Sequence, residues 1–374
     1  MSRPPRAGIP EAEAGGILTI DLGALSANWR DIAGRVAPAE CAAVVKGDAY
    51  GTGLESSAQA LWEAGARTFF VALLSEGRRL RERLPDAVIY VLNGLFAGTE
   101  ESHRELRLRP VLGSLAEIAC WSDYCAGLGT RLPAAVHVDT GMNRLGLAPS
   151  EAVGLAETRE EIGFELALLM SHLACADEPG HPLTARQLED FRALAKLFPG
   201  VPASLANSAG SLSGTDFHFD LARPGVALYG GKARADMAPL RPVVTLELRI
   251  SQVRDVHAGE TIGYGAAATA REPRRVAILA AGYADGIPRL AGSSDARRGA
   301  EAIVAGQRCP LIGRISMDLM AIDITALPED TVRAGDLVTL LGDEIGVDEL
   351  ARHGETIGYE ILTSLGRRYH RRIA

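Results

Sequence analysis

The stretch that decides the fold runs from residue 42 to residue 53 and reads AAVVKGDAYGTG. Four apolar residues typical of a buried strand stop at Lys46, and glycines and a tyrosine follow before a helical pattern begins. A lysine at the end of a buried strand is costly unless the protein uses its amine. Away from water the amine loses its proton more readily and becomes a nucleophile for carbonyl compounds. Lys46 is therefore a candidate catalytic residue, and a strand-end lysine that reaches solvent is the structural alternative.

The composition is that of a soluble globular protein, with 374 residues, 47% hydrophobic and 23% charged. The net charge of −8 and the lack of a basic stripe argue against nucleic acid, and the basic cluster at 367–372 is interpreted as a solvated tail. No apolar stretch is long enough to span a membrane. The five cysteines show no metal-ligand spacing, which predicts free thiols, no metal site and a cytoplasmic location.

Short apolar runs alternate with helical patterns about eight times over roughly two hundred residues, a pattern typical of a parallel (β/α)8 TIM barrel. An open doubly wound sheet is the alternative, but its Gly-x-Gly-x-x-Gly turn is not found after an early strand. We assign residues 15–240 to the barrel and residues 1–14 to a loose N-terminal leader. The helix predicted over 184–197 begins with Thr184 and Gln187, which match a capping box. The predicted strands are 16–22, 42–45, 68–73, 88–92, 109–112, 134–138, 164–170, 203–205 and 219–221, and the other predicted helices are 25–37, 56–63 and 75–83.

The pattern changes near residue 240, where strict alternation of apolar and polar residues over 244–250 predicts a half-buried antiparallel strand. Turn signals separate the short apolar runs that follow, and a small helix is predicted over 347–352. Residues 241–374 are therefore predicted to form a second, mainly β domain. Its further predicted strands are 275–281, 302–304, 311–315, 321–324 and 337–341.

The unusual polar residues fall where predicted barrel strands end, and the carboxyl ends of barrel strands form one functional face. They are Lys46, His137 with the loop 139–144, Ser171-His172, Asn207-Ser208 and Arg223. Barrels often bind phosphate through the loops after strands seven and eight, where this chain has the small residues of 208–210 and 224–226. A phosphate site beside an amine that reacts with carbonyls suggests pyridoxal 5′-phosphate (PLP).

From about residue 16 to its end, the chain resembles the alanine racemase family of fold-type III PLP enzymes. The motifs that carry the resemblance are VVKGDAYG (44–51), DTGMNRLG (139–146), SHL (171–173), ANSA (206–209), RPGV (223–226), GYGA (263–266), GYADG (282–286), RISMD (314–318) and GYE (358–360).

The resemblance implies a PLP cofactor and a two-base racemisation of alanine that supplies D-alanine for peptidoglycan. Lys46 would hold the cofactor and move a proton on one face of the substrate, and Tyr264 would be the base on the other face. Arg223 would face the pyridine nitrogen and, because arginine stays protonated, keep that nitrogen unprotonated. The residues implied to hold the phosphate are Tyr50, Ser208, Gly225, Val226 and Tyr359.

The resemblance also implies a substrate site shared between the two chains of a homodimer. Arg144 and the Met317 backbone amide would take the substrate carboxylate, and His172 would stack beside the cofactor ring and orient Tyr264. Tyr264 and Tyr283 would come from the partner chain, with Tyr283 narrowing the entrance. Asp318 would line the site.

The chain departs from the family pattern in two places. Many relatives read KANAYGHG in the first motif, where this chain has Gly47, Asp48 and Thr52. Some relatives place a carbamylated lysine two residues before the DTGM run, where it braces the carboxylate-binding arginine. This chain has His137 there, so we predict that His137, water or a bound anion supports Arg144 instead.

Three other functions stay open on the sequence. A racemase of the same fold could act on serine or on several amino acids, because pocket size decides the side chain. A PLP-dependent decarboxylase is disfavoured because its electron sink would require an acidic partner at the pyridine nitrogen, where this chain offers Arg223. A PLP-carrying binding protein without turnover is disfavoured by the second domain, which such proteins lack.

Overall fold

The computed structural model describes residues 9–374, and its contacts divide the chain into two compact units. The barrel unit comprises residues 25–228 and 232–239, and the C-terminal unit comprises residues up to 24, 229–231 and 240–374. Of the predicted leader, residues 1–8 lie outside the described part. Its remainder contains a short 3-10 turn, Glu11–Glu13, and the buried side chain of Ala14.

The barrel unit is built on parallel strands alternating with helices, as predicted. The first strand of the chain, β1 (Gly16–Ile20), belongs to the C-terminal unit. The barrel strands are β2 (Glu40–Cys41), β3 (Ala43–Val44), β4 (Thr68–Val71), β5 (Val88–Val91), β6 (Arg109–Leu112), β7 (Pro133–His137), β8 (Glu165–Met170), β9 (Ala203–Ser204) and β10 (Leu221–Ala222). The helical segments are α1 (Leu22–Val36), α2 (Lys46–Tyr50), α3 (Leu54–Ala64), α4 (Leu74–Arg83), α5 (Glu100–Glu105), α6 (Leu115–Leu128), α7 (Pro149–Glu157), α8 (Pro182–Ala195) and α9 (Ser208–Ser211).

The parallel sheet closes on itself. Strands β3 to β9 form one sheet in chain order, and β10 pairs in parallel with β2, which directly precedes β3. Backbone bonds from Asp220 to Ala203 and from Arg223 to Ala206 join β10 to the β9 side. Residues 40–44 therefore act as the first of eight strands, and the predicted TIM barrel is confirmed. The carboxyl ends of all eight strands share one face, which carries the site.

The start of α8 differs from the prediction. The helix begins at Pro182, and the ring nitrogen Nδ1 of the N-cap His181 accepts a hydrogen bond from the Leu183 amide at 3.2 Å. The predicted capping box of Thr184 and Gln187 is wrong, because both residues lie inside the helix. Proline at the first helical position fits this start, since its missing N–H would have no partner there.

The C-terminal unit is organised around one long strand, β11 (Val244–Val256). Its first half alternates buried and half-buried residues, as the sequence pattern predicts, and pairs with β1 on one side and β18 on the other. Its second half pairs with β14 after a register shift between Ile250 and Gln252. The other elements are β12 (Thr261–Ile262), β13 (Ala268–Thr269), β14 (Arg274–Leu279), β15 (Glu301–Val304), β16 (Gln307–Pro310), β17 (Met320–Asp323), β18 (Leu337–Leu341), α10 (Val347–His353), α11 (Gly358–Ser364) and β19 (His370–Ile373).

Strands from the first and last parts of the described chain pair in this unit, which changes two expectations. Strand β1 pairs with β11 and β19, so these residues do not join the barrel as the assignment of 15–240 had it. The interpretation of 367–372 as a solvated tail is wrong, because β19 pairs in parallel with β1. The sequence shows an apolar run for β1 but not its partner, since pairing across the whole chain length is a tertiary property.

A strand was predicted at 311–315, but the structure places it earlier. Strand β16 covers the polar segment Gln307–Pro310 and pairs with β15, while Leu311 forms only an isolated bridge to Ile322. All five cysteines lie in the described part and are free thiols, as predicted. Within residues 9–374, no helix has the length and apolarity needed to cross a membrane.

Candidate active site

Five basic side chains converge at the carboxyl ends of the barrel strands. Lys46 follows β3, His137 ends β7, His172 follows β8 and Arg223 follows β10, while Arg144 lies in the loop after β7. Burial and the positive charges of Arg144 and Arg223 lower the pKa of the Lys46 amine, and Glu76 opposes that shift. The predicted basic residues therefore lie together around a lysine whose pKa is lowered.

Lys46 leads into a turn of unusual conformation. Gly47, Asp48, Ala49 and Tyr50 all have φ between 53° and 66°, so the chain makes a left-handed turn directly after the lysine. Left-handed backbone costs about 1–2 kcal/mol for each residue with a Cβ atom. Only the first of the four is glycine, so the surrounding structure must hold the other three in place.

The carboxylate of Glu76, in the first turn of α4, holds this turn. One oxygen accepts hydrogen bonds from the amides of Gly47 (2.7 Å) and Asp48 (3.4 Å). The other accepts from the amides of Ala72 (2.8 Å) and Leu73 (3.2 Å), just before α4. A single side chain thus ties the segment after Lys46 to the end of β4.

Asp48, one of the departures from the family pattern, has partners of its own. Its carboxylate accepts from the Leu54 amide at 3.2 Å and forms an ion pair with Arg79 at 2.8 Å. Arg79 also pairs with Glu55 at 2.8 Å. These exposed ion pairs contribute little individually, but they connect the left-handed turn to α3 and α4.

The loop that carries Arg144 is shaped by Asp139. One carboxylate oxygen of Asp139 accepts from the amides of Gly141 and Met142, each at 2.9 Å, and from Asn143 at 3.2 Å. Backbone bonds at Asp139 and Leu147 close the base of the loop. Arg144 itself is exposed and makes no hydrogen bond or ion pair with any residue of the described chain. Its guanidinium is therefore available to an anionic ligand.

A buried amide joins this loop to the segment that carries His172. The side chain of Gln187 is fully buried. Its oxygen accepts from the Ala174 amide at 2.9 Å, and its nitrogen donates to the His172 carbonyl at 2.9 Å and to Thr140 Oγ1 at 3.2 Å. Gln187, placed in a capping box on sequence grounds, instead positions two loops of the site.

Arg223 is a buried cation without a carboxylate partner in the described chain. Its guanidinium donates to the hydroxyl of Ser204 and to the carbonyls of Ser171 (2.6 Å) and Leu205 (3.5 Å). Burial lowers its pKa to about 9, which leaves the group protonated at neutral pH. A buried cation is usually compensated by a carboxylate. The uncompensated charge of Arg223 therefore favours a ligand atom that accepts a hydrogen bond and carries no proton.

The loops after β9 and β10 meet at Ser208. Its hydroxyl oxygen accepts from the amides of Gly225 (2.8 Å) and Ala227 (3.2 Å), so its own proton remains to be donated. A Cβ atom at Gly225 would lie 2.2 Å from the hydroxyl oxygen of Tyr50. The predicted phosphate residues Tyr50, Ser208, Gly225 and Val226 are therefore neighbours, and only glycine allows this approach.

Both histidines of the face are held neutral. Burial and the charge of Arg223 lower the pKa of His137 to about 4, and the same causes move the pKa of His172 well below its usual range. No hydrogen bond joins His137 to Arg144 within residues 9–374. The support of Arg144 by His137, water or a bound anion stays a prediction.

The five other predicted site residues lie in the C-terminal unit, all of them exposed by more than a third. Three are neighbours, because the amides of Tyr283 and Ala284 donate to the carbonyls of Ser316 and Met317, each at 3.0 Å. The amide of Met317 donates no hydrogen bond within the described chain. Asp318 forms an ion pair with Arg368 at 2.7 Å, which in turn pairs with the buried Asp285.

Tyr264 stands on a separate loop of this unit. It lies between two glycines with positive φ, in a 3-10 turn, and is 70% exposed. Tyr359, at the start of α11, is 39% exposed.

Three functional candidates escaped the sequence reasoning: Glu76, Asp139 and Gln187. Asp139 belongs to a quoted motif, and a carboxylate followed by three turn amides could have been recognised as the organiser of its loop. The bond of Glu76 to Gly47 and that of Gln187 to Thr140 show no local signal, because these partners lie 29 and 47 residues away in the chain.

The chain matches two family models, the alanine racemase N-terminal domain over residues 20–233 and the alanine racemase C-terminal domain over residues 243–373. An alanine racemase of Methylobacterium sp. (strain 4-46) is 54% identical over 358 residues, which cover 96% of this chain and 97% of that protein. The alanine racemase of Bartonella henselae, solved with covalently bound pyridoxal phosphate, has a TM-score of 0.90 at 38% identity and covers 96% of this chain and 100% of its own. The biosynthetic alanine racemase of Pseudomonas aeruginosa has a TM-score of 0.89 at 37% identity, with 96% and 99% covered. The chain belongs to the alanine racemase family.

Proposed function

We propose that this protein interconverts L-alanine and D-alanine with PLP as its cofactor. The observation that carries the proposal is the placement of Lys46 among buried basic groups at the carboxyl face of the barrel. Relatives named alanine racemase support the substrate.

The residues of the barrel face fit PLP. Its phosphate requires hydrogen-bond donors in a confined place, and the Ser208 hydroxyl and the close approach of Gly225 to Tyr50 provide one. Its aldehyde requires an unprotonated amine, which the lowered pKa of Lys46 favours. A relative solved with covalently bound pyridoxal phosphate supports the same assignment. Bound PLP withdraws electrons from the Cα atom of an attached amino acid and makes its hydrogen acidic.

Racemisation needs one base to take the Cα proton and an acid on the opposite face to return one, so that one C–H bond breaks and another forms. We assign the first role to the Nζ atom of Lys46 and the second to the hydroxyl of Tyr264. Arg223 keeps its own proton and would therefore oppose protonation of a cofactor ring nitrogen placed beside it. An unprotonated ring would withdraw electrons less strongly, which would favour return of the proton to Cα over transamination.

The substrate carboxylate is assigned to Arg144 and the Met317 amide. Arg144 has no partner in the described chain, and its loop is fixed by Asp139. His172, held neutral, is assigned to the side of the cofactor ring. Tyr359 is assigned to the phosphate, and Tyr283 and Asp318 to the entrance and wall of the site.

We propose a homodimer in which Tyr264 and Tyr283 serve the site of the other subunit. With 70% of its surface exposed, the Tyr264 side chain is accessible to a second subunit. A cytoplasmic location and the use of D-alanine in peptidoglycan are proposed with it. The biosynthetic name of the Pseudomonas relative supports this use of the product.

Hydrogen exchange at Cα tests the two-base assignment. Tyr264→Phe should abolish racemisation, yet in D2O it should still exchange the Cα hydrogen of the enantiomer that presents it to Lys46. The other enantiomer should exchange far more slowly. Equal exchange of both enantiomers would exclude two bases on opposite faces.

Serine should be assayed in parallel, since faster turnover of serine than of alanine would move the assignment to a different substrate.

Complementation tests the shared site. Lys46→Ala and Tyr264→Phe should each be inactive, and after subunit exchange an equal mixture should recover about one quarter of the wild-type activity, because half of the dimers are hybrids with one intact site. Each variant mixed with itself is the control. No recovery, with exchange confirmed by native mass spectrometry, would show that both bases come from one chain.

A further inference from the structure

A second cavity lies on the barrel face opposite to Lys46. It has a volume of about 310 Å³ and reaches Val88, Arg109 and Pro133, which are the first residues of β5, β6 and β7. Lys46 follows the carboxyl end of β3, so the two sites lie at opposite ends of parallel strands. Leu108, Trp121 and Leu132 contribute apolar wall. This size lies at the lower end of the range of small-molecule pockets.

Two buried ring nitrogens in the lining have no hydrogen-bond partner in the described chain. His103 and Trp121 are each 1% exposed, and both line the cavity. Nδ1 of His103 lies 3.0 Å from the carbonyl of Thr99 and must donate to it, so Nε2 of the neutral ring is an acceptor. Nε1 of Trp121 is a donor. Unpaired polar atoms in a protein interior are rare and costly, so this donor and acceptor require a ligand group or an ordered water.

Arginines surround the same cavity. Arg81, Arg107 and Arg109 line it, and none of them has a carboxylate within ion-pair distance among residues 9–374. Arg81 donates hydrogen bonds to four backbone carbonyls. Arg107 donates one to the Pro85 carbonyl, and Arg109 donates one to the Tyr90 hydroxyl. Asp86 is an acidic residue of the lining. The cavity is thus locally positive in a chain with a net charge of −8, which favours an anion there.

We propose that this cavity binds a small hydroxylated carboxylate with an apolar body. The hydroxyl group accepts from Trp121 Nε1 and donates to His103 Nε2, the body packs on the apolar wall, and the carboxylate meets Arg107 and Arg109. Alanine has neither the apolar body nor the hydroxyl, so the cavity is a site separate from that of the racemisation substrate.

The test is isothermal titration calorimetry of the full-length holoenzyme with 4-hydroxybenzoate. Saturable binding should persist in excess alanine and in Arg144→Gln, because the carboxylate site of the other face is not involved. Benzoate, which lacks the hydroxyl, and 4-hydroxybenzyl alcohol, which lacks the charge, should each bind about tenfold more weakly or worse.

The double variant Arg107→Gln/Arg109→Gln should lose affinity for 4-hydroxybenzoate by about tenfold or more, with racemase activity unchanged. Trp121→Phe keeps the ring and removes the donor, and should weaken 4-hydroxybenzoate more than benzoate. Arg83→Gln, an exposed arginine of α4 outside the lining, is the matched control and should bind as the wild type does.

Three results would overturn the proposal. One is the absence of binding at millimolar probe, which would leave ordered water as the partner of the two nitrogens. Another is equal affinity of the double variant and the Arg83 control. The third is displacement of the probe by alanine. If the double variant fails to fold, the affinities of Trp121→Phe for 4-hydroxybenzoate and for benzoate still test the proposal.

Discussion

The tie between Glu76 and the left-handed turn after Lys46 makes a quantitative prediction. Glu76→Gln replaces one acceptor oxygen by an NH2 group, which then faces amides that are themselves donors. Of the four hydrogen bonds, those from Gly47 and Ala72 are short, at 2.7 and 2.8 Å. These two bonds end on different oxygens, so the variant loses one of them, about 1.5 kcal/mol, and makes the other an uncharged and weaker bond. The backbone amide left without an acceptor adds about 1.5 kcal/mol, which gives about 3 kcal/mol in total, and the two longer bonds add little.

This loss is comparable with the strain of the turn. Asp48, Ala49 and Tyr50 hold positive φ, which costs about 3–6 kcal/mol for the three residues together. Without the carboxylate the turn relaxes, Lys46 and Tyr50 move from their positions, and PLP must restore the turn when it binds. We therefore expect PLP affinity to fall by about 100-fold.

The assay is titration of the apoprotein with PLP, measured by the visible absorbance of the lysine-bound cofactor. The free energy of unfolding is measured in parallel by urea unfolding. Glu82→Gln, an exposed residue on the same helix, is the control and should match the wild type. If Glu76→Gln binds PLP and unfolds as the control does, the carboxylate does not hold the turn. If stability falls by about 3 kcal/mol with unchanged PLP affinity, the turn keeps its shape without Glu76 and the relaxation argument is wrong.

Three further predictions concern the same face. Gln187→Leu leaves the Ala174 amide without its acceptor and should lower the free energy of unfolding by about 3 kcal/mol and raise KM for alanine, measured against the exposed control Glu189→Gln; an unchanged KM would show that Gln187 does not position the loops. Gly225→Ala places a Cβ atom 2.2 Å from the Tyr50 hydroxyl and should weaken PLP binding at least tenfold, whereas Gly34→Ala, where no atom lies within 4 Å, should leave PLP binding intact; equal PLP affinity in both would contradict the cradle. The His137 ring binds a proton below pH 6.5 in the unfolded chain and only below about 4 in the native protein. The free energy of unfolding should therefore fall by up to about 3 kcal/mol as the pH is lowered from 6.5 to about 4. His137→Gln should flatten that part of the urea-unfolding profile and the exposed control His257→Gln should not; parallel profiles would refute the neutral buried ring.

Local patterns in the sequence predict the barrel. Alternating apolar runs and helical patterns predict all eight barrel strands, because a parallel strand buried on both faces is a continuous apolar run. The strict alternation at 244–250 likewise predicts β11, which has one half-buried face. One of the missed strands, β16, is a polar segment on the edge of its sheet, where burial imposes no pattern.

The functional face is predictable for a related reason. Side chains at the carboxyl ends of barrel strands share one face whatever their separation in the chain, so Lys46, His172 and Arg223 could be grouped before the structure was known. The sequence also predicts the lowered pKa of Lys46, but not that the two histidines are neutral, because burial and the charge of Arg223 set the pKa values of His137 and His172.

By itself the sequence determined the architecture and the chemical identity of the site, since both follow from local hydrophobic periodicity and from residue types at strand ends. Only the tertiary structure decided the supports: Glu76 on the turn after Lys46, Gln187 between two loops, and β1 beside β19. Each of these depends on hydrogen bonds between segments far apart in the chain, and short-range patterns contain no record of such partners.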